Sequence, residues 1–179
     1  VSWRAGIHGY VAQWDVVTGV IGRPNAPHLA RPGRYNRDCF IYDPARVSVQ
    51  FMHRGTQVVG TGKDIDLDIW ADAYGLAFAF TPPETAYDLV CGIARGTYDQ
   101  CSAGFTCLER ATARHGGSEL DDIGSAVLRE ISICPSGACP GAVCWHSGNA
   151  IDALSPVAAS LLPGWHRGRA AHRALGIAA

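Results

Sequence analysis

Charge is sparse in this sequence, and what there is cancels. Asp, Glu, Lys and Arg make up 17% of the 179 residues, and the formal net charge is −1. That excludes the basic field needed to hold nucleic acid, and there is no acidic tail. Long hydrophobic runs are missing too. The apolar stretches are strand-length and interrupted, so no segment is expected to span a membrane. No secretory signal pattern opens the chain. It begins on Val1, as expected of a trimmed start or of a sequence that begins inside its gene. Cysteine is too thin for a disulfide scaffold. The seven cysteines are an odd number and read as reduced thiols in a cytosol-like compartment. Cys134, Cys139 and Cys144 recur every five residues with His146 behind them. They lack the tight CxxC pairing of zinc sites and read as buried or incidental thiols. What remains is ordinary globular composition: 47% hydrophobic residues in 19.0 kDa, enough for one core and too little for two.

Strand signals fill the first two thirds. Ile7–Trp14 reads as a strand, and a Pro- and Gly-rich loop is expected from Gly19 to Gly33. In Val47–His53, Val47, Val49 and Phe51 alternate, and continued alternation places His53 on their face. A strand over Gln57–Thr61 follows, then clean alternation over Asp64–Trp70, then Leu76, Phe78 and Phe80 in step. Pro82 and Pro83 stop that strand, and a helix is expected from Glu84 through Arg95, ended by Gly96. Tyr98–Leu108 reads as a strand, Ala113–Gly124 as an exposed polar loop, and Val127–Cys134 as the last strand. Strands, one helix, then strands, without βαβ alternation, disfavour a parallel α/β fold. The expected class is α+β and β-rich. From residue 146 the composition shifts to Ala, Gly and Arg, broken by Pro156 and Pro163. We therefore expect a catalytic domain over residues 1–145 and a C-terminal extension over 146–179.

Three polar residues sit where chemistry would need them. His53 ends an apolar strand, Ser102 lies within Gln100–Phe105, and Glu130 lies within Leu128–Ser132. A serine hydroxyl is a poor nucleophile until a base, usually a histidine, lies within hydrogen-bond reach. That base in turn needs a group to fix its tautomer. Singly, each residue reads as well as an ordinary strand residue, and pattern alone yields only a β-rich soluble domain. Cys101 is the rival nucleophile. Adjacent strand residues face opposite ways, so an apolar face of Cys101, Ala103, Phe105 and Cys107 turns Ser102 to the other side. The remaining histidines, His8, His28, His115, His146, His166 and His172, read as structural or solvated.

The order of short motifs adds what single residues do not. Gly9-Tyr10-Val11-Ala12 opens the series. Arg31-Pro32-Gly33 with Cys39-Phe40, Phe51-Met52-His53-Arg54 and Asp72-Ala73-Tyr74-Gly75-Leu76 follow. Then come Asp88-Leu89-Val90 through Arg95-Gly96, Cys101-Ser102-Ala103-Gly104-Phe105 and Leu128-Arg129-Glu130-Ile131-Ser132. Together, over roughly Gly6 to Trp145, they resemble the prohead proteases of tailed phages, capsid maturation enzymes related to herpesvirus assemblins. The sequence departs from the pattern at Cys101 and Ala103, in the long stretch before Val127, and in Pro135–Ala142, which only loosely echoes the family's Pro-Ala segment.

The resemblance implies a mostly antiparallel assemblin-like β-barrel with a few helices. It implies a serine endopeptidase with Ser102 as nucleophile, His53 as general base and Glu130 as the group that orients His53. No metal or organic cofactor is implied. The implied substrates are the scaffolding protein, or the scaffolding segment of the major capsid protein, inside the immature capsid in the host cytoplasm. Self-cleavage is expected, with residues 146–179 as a docking or processed tail. A homo-oligomer is compatible with the resemblance; nucleic acid and membrane are not expected partners. Two alternatives stay open: a catalytically silent structural protein with the protease fold, and a cysteine-dependent or zinc-binding domain.

Overall fold

A computed structural model describes residues 6–22 and 30–147. It contains β1 (Gly6–Gln13), β2 (Val17–Ile21), β3 (Arg31–Tyr35), β4 (Phe40–Ile41), β5 (Ser48–Phe51) and β6 (Val58–Thr61). After these come β7 (Asp68–Ala71), β8 (Gly75–Phe80), helix α1 (Tyr87–Ala94), β9 (Gln100–His115), β10 (Ser118–Cys134) and β11 (Val143–Ser147). All eleven strands belong to one sheet, whose main path runs β2-β3-β10-β9-β11-β1-β8-β7. β4 and β5 lie along β10, and β6 lies on β5. The β-rich class is as expected. The barrel is not: the sheet does not close, and its path ends on β2 and β7.

β10 organises the sheet. On one side it pairs antiparallel with β9. On the other it pairs in parallel with β3, then β4, then β5. Those three strands are one extended course of chain, interrupted by a turn at Asn36–Cys39 and a short 3-10 turn at Pro44–Arg46. Because the chain keeps its direction, no crossover helix separates them. The sequence pattern, which has no βαβ unit, therefore gave no warning of these parallel pairings; the other strand pairings are antiparallel, so the sheet is mostly antiparallel, as expected.

The core gathers Ile7 and Val11 of β1, Leu76, Phe78 and Phe80 of β8, Val49 of β5, Cys101 of β9, and Ile131 and Ile133 of β10. β8 is buried along its whole length. The opposite face of β1, β8 and β11 carries a second, smaller cluster of Tyr10, Ala77, Val143 and Trp145, joined by Tyr74. Tyr10 donates its hydroxyl to Asp72 at 2.8 Å. Burial, then Asp72, raises the Tyr10 phenol. Among the described residues, no helix is long and apolar enough to cross a membrane.

Several local expectations fail for identifiable reasons. Ala113–Gly124 is not a loop. It is the far end of the β9–β10 hairpin, closed by Gly116 and Gly117 at φ +56° and +84°. A two-residue turn with both φ positive matches strand twist, and paired glycines supply it. The Gly19–Gly33 loop begins and ends inside strands β2 and β3, with Thr18 Oγ1 accepting the Gly33 N–H at 3.0 Å. Asp64–Trp70 starts as a turn, because Asp64 accepts from Thr61 N and Oγ1 at 3.0 and 2.7 Å. Ile65 and Leu67 are nonetheless buried, so the alternation marked burial without marking strand. Helix α1 is preceded by a 3-10 turn over Glu84–Ala86. Val127–Cys134 is not the last strand. β11 follows and pairs with β1 through Ile7↔His146 and Gly6↔Ser147. The expected domain boundary at residue 145 therefore falls within β11. Residues beyond 147 lie outside the described residues.

Candidate active site

A bulge decides which way Glu130 faces. In β10, Leu128 is opposite Phe105, but Glu130 is opposite Gly104, so Arg129 is the extra residue. An extra residue in one strand reverses the side-chain alternation beyond it. Leu128 is buried in the core; two residues on, an unbroken strand would bury Glu130 there as well. The bulge instead places Ile131 and Ile133 in the core and turns Glu130 and Ser132 to the other face. β9 follows the same alternation: Cys101 is buried in the core and Ser102 lies opposite Ser132. On β5, Gln50 pairs with Ser132 and Ser48 with Glu130. Ser102, Ser132, Gln50, Gly104, Glu130 and Ser48 therefore form a polar patch two rows deep across three strands. Gln50 Nε2 donates to Ser48 Oγ at 2.9 Å within it.

His53 does not stay on the face of Val47 and Val49, as strand alternation predicts. β5 ends at Phe51, and Met52 and His53 both take positive φ, +55° and +56°. Arg54 N donates back to the Phe51 carbonyl at 3.1 Å, closing a tight turn of the mirror-image type. Two consecutive non-glycine residues there cost roughly 1–2 kcal/mol each, and such strain clusters at functional sites. The turn is held by Met52 N donating to the Ile133 carbonyl at 3.0 Å and His53 N donating to Ser132 Oγ at 2.7 Å. It swings the imidazole over the polar patch.

There His53 Nδ1 lies 2.7 Å from Glu130 Oε1. Ser132 Oγ donates to the same Oε1 at 2.7 Å. A backbone N–H only donates, so the Ser132 oxygen accepts from His53 and its proton is free for Glu130. A carboxylate oxygen only accepts, so Nδ1 carries a proton in this contact, and in the neutral ring Nε2 is then the acceptor. The His53 side chain is 47% exposed and that of Glu130 18%. A carboxylate at the back of the ring with a basic nitrogen open to solvent is a general-base arrangement. Ser102 is partly exposed on the same patch. No hydrogen bond joins Ser102 to His53 among the described residues.

Cys101, the rival nucleophile, is fully buried, and burial with neighbouring Cys144 pushes its thiol well above the ordinary range. A neutral, inaccessible thiol is a poor nucleophile. Cys134, Cys139 and Cys144 are buried free thiols. Cys139 Sγ accepts from Gln13 N and Cys144 Sγ donates to the Tyr98 carbonyl, at 3.4 Å each. Among the described residues, no group of three or more His, Cys, Asp or Glu is placed to hold a metal ion. His8 is buried in β1, with Nε2 2.8 Å from Ser147 Oγ. His115 ends β9 at the hairpin turn, and His146 lies in β11. His28, His166 and His172 lie outside the described residues.

The model of the caudovirus prohead serine protease family matches residues 3–154. The chain belongs to that family. It is accordingly a serine protease of capsid maturation, placed within the phage procapsid and acting on capsid-related substrates. No curated protein matches the chain.

Two residues of the candidate site have no role assigned by the sequence motifs that contain them. Ser132 had a legible signal, a serine two positions after Glu130, but its bonds depend on the bulge and on the His53 turn. Gly104 faces Glu130 across the strands, and a Cβ there would stand 2.8 Å from Glu130 Cβ and 3.1 Å from Oε2. Its missing side chain leaves the space that Glu130 fills.

Proposed function

We propose that Ser102 is the nucleophile of this prohead protease, His53 its general base and Glu130 the carboxylate that orients His53. The observation that carries the reading is the 2.7 Å contact between His53 Nδ1 and Glu130 Oε1, over the strand face that also bears Ser102. Ser102 Oγ attacks the scissile carbonyl as His53 Nε2 takes its proton. The C–N bond then breaks, His53 returns the proton to the leaving amine, and an acyl-enzyme ester remains. Water activated by the same nitrogen hydrolyses the ester and regenerates Ser102. Catalytic hydrogen bonds are often long before substrate binds, so Ser102 and His53 close on each other in the substrate complex. The oxyanion is held by backbone N–H groups.

The proposed substrates are the scaffolding protein or the scaffolding segment of the major capsid protein, cut inside the immature capsid in the host cytoplasm. Residues 148–179 lie outside the described residues. Their small-residue composition suits an extended segment that docks the enzyme or is itself cut. Co-expression with the neighbouring capsid and scaffold genes tests the reading. Wild type should yield shortened capsid or scaffold protein, and Ser102→Ala should leave both at full length. Intact-mass measurement of the protease in the two samples tests self-cleavage, which should shorten only wild type. The missing Ser102–His53 hydrogen bond favours one second reading, a silent protein with the protease fold. Wild type that leaves every capsid component uncut would support it.

A further inference from the structure

Glu130 Oε1 accepts two hydrogen bonds, and only one comes from the histidine. The other is from Ser132 Oγ, whose oxygen also accepts the backbone N–H of His53, each bond at 2.7 Å. One hydroxyl therefore fixes both the carboxylate and the strained turn that aims the imidazole. Ser132 is fully buried, so it is closed to substrate and is not itself a competing nucleophile. It also stands directly across from Ser102 in the β9–β10 register. Directly opposed residues have Cβ atoms about 4.5–5.5 Å apart. Ser132 thus bonds to two of the proposed triad members and stands opposite the third.

We infer that Ser132 is a positioning residue for this protease: its hydroxyl locks Glu130 and the His53 turn into the geometry in which Nδ1 is the protonated nitrogen. This inference rests on the Ser102–His53–Glu130 reading. The donor requirement is specific. The group at position 132 must accept from the His53 N–H and give a proton to Oε1, which a hydroxyl does and an alkyl group does not. A thiol of nearly the same volume does so only weakly. If the hydroxyl is absent, Oε1 keeps a single donor, the His53 N–H loses its partner, and two left-handed residues lose a restraint. The ring then samples orientations other than the one that Glu130 holds.

The test compares Ser132→Ala, Ser132→Cys and Ser132→Thr with wild type and Ser102→Ala, using steady-state cleavage of a purified capsid-derived substrate and thermal unfolding. Ser132→Cys is the packing control. If Ser132 positions the base, Ser132→Ala and Ser132→Cys both lose roughly ten- to hundredfold in kcat with KM little changed. Ser132→Thr, which keeps the hydroxyl, recovers much of the rate. Proton NMR of the folded variants should show the downfield His53 Nδ1–H signal weakened in Ser132→Cys and retained in Ser132→Thr. Wild-type kcat in folded Ser132→Cys, with the signal unchanged and Ser102→Ala inactive, would overturn the inference while leaving the triad reading intact. Wild-type activity in Ser102→Ala would instead overturn the triad reading itself.

Discussion

Gly104→Ala adds one methyl group to the patch and should disable the enzyme. The alanine Cβ would stand 2.8 Å from Glu130 Cβ, 3.1 Å from Oε2 and 3.2 Å from Cδ. Carbon atoms pack at about 3.5–4.0 Å, so Glu130 must withdraw by roughly 0.7 Å or more, as the β9–β10 backbone is held by its ladder. Gly104 lies outside the left-handed region, so alanine brings no backbone strain and the effect isolates the collision. Inserting a methyl group into packed space costs roughly 1–3 kcal/mol. The kinetic cost should be larger in effect, because a displacement of about 1 Å in a positioned group can cost on the order of a hundredfold in rate. The control is Gly124→Ala in the same hairpin, where the new Cβ would meet Glu109 no closer than 3.4 Å. The assay is kcat on a capsid-derived substrate, with thermal unfolding of each variant. Gly104→Ala should lose ten- to hundredfold in kcat and Gly124→Ala almost nothing. Wild-type turnover and stability in Gly104→Ala would refute the claim that Glu130 occupies this space.

Three further outcomes follow from the same packing. Stability should fall as pH rises above about 9, because Cys134 is pushed up to about 11, Cys39 to about 12, and Cys101 well above its ordinary value by burial. Below pH 9 these thiols are protonated both folded and unfolded; above it only the unfolded chain ionises, costing about 1.4 kcal/mol per pH unit per thiol, and urea midpoints from pH 8 to 11 should show the decline. Met52→Gly should raise stability by about 1 kcal/mol by relieving a left-handed residue, seen as a higher thermal midpoint; a clear fall would contradict the strained turn. Gly117→Val should cost about 1 kcal/mol or more at φ +84° yet leave kcat unchanged, since thirteen residues of β9 separate Ser102 from the turn, roughly 40 Å along the strand.

Local pattern made β1, β8 and α1 legible: β1 and β8 are short apolar runs buried along nearly their whole length, and α1 packs its stripe of Leu89, Val90 and Ile93 on the core. Cys101 could likewise be assigned to the core, and Ser102 to the opposite face, from alternation alone. The paired glycines at 116 and 117 carried a hairpin signal that the polar residues around them obscured. Other features depend on partners distant in sequence. β3, β4 and β5 run parallel to β10 only because a strand some eighty residues later lies beside them. Glu130 faces the patch only because Arg129 is bulged, and strict alternation would have buried it with Leu128. The left-handed pair Met52–His53 has no glycine to announce it and is held by Ile133 and Ser132 of β10. The candidate site could thus be named from motif order, whereas its geometry arises from two departures from regular strand.

The central claim is that Ser102 is the nucleophile and that His53 activates it. Fluorophosphonate labelling followed by peptide mapping tests this most directly, since the reagent bonds covalently to an activated serine. The predicted result is one adduct on Ser102 in wild type, strongly reduced in His53→Ala and absent in Ser102→Ala. An adduct on another residue, or undiminished labelling of Ser102 in folded His53→Ala, would contradict it.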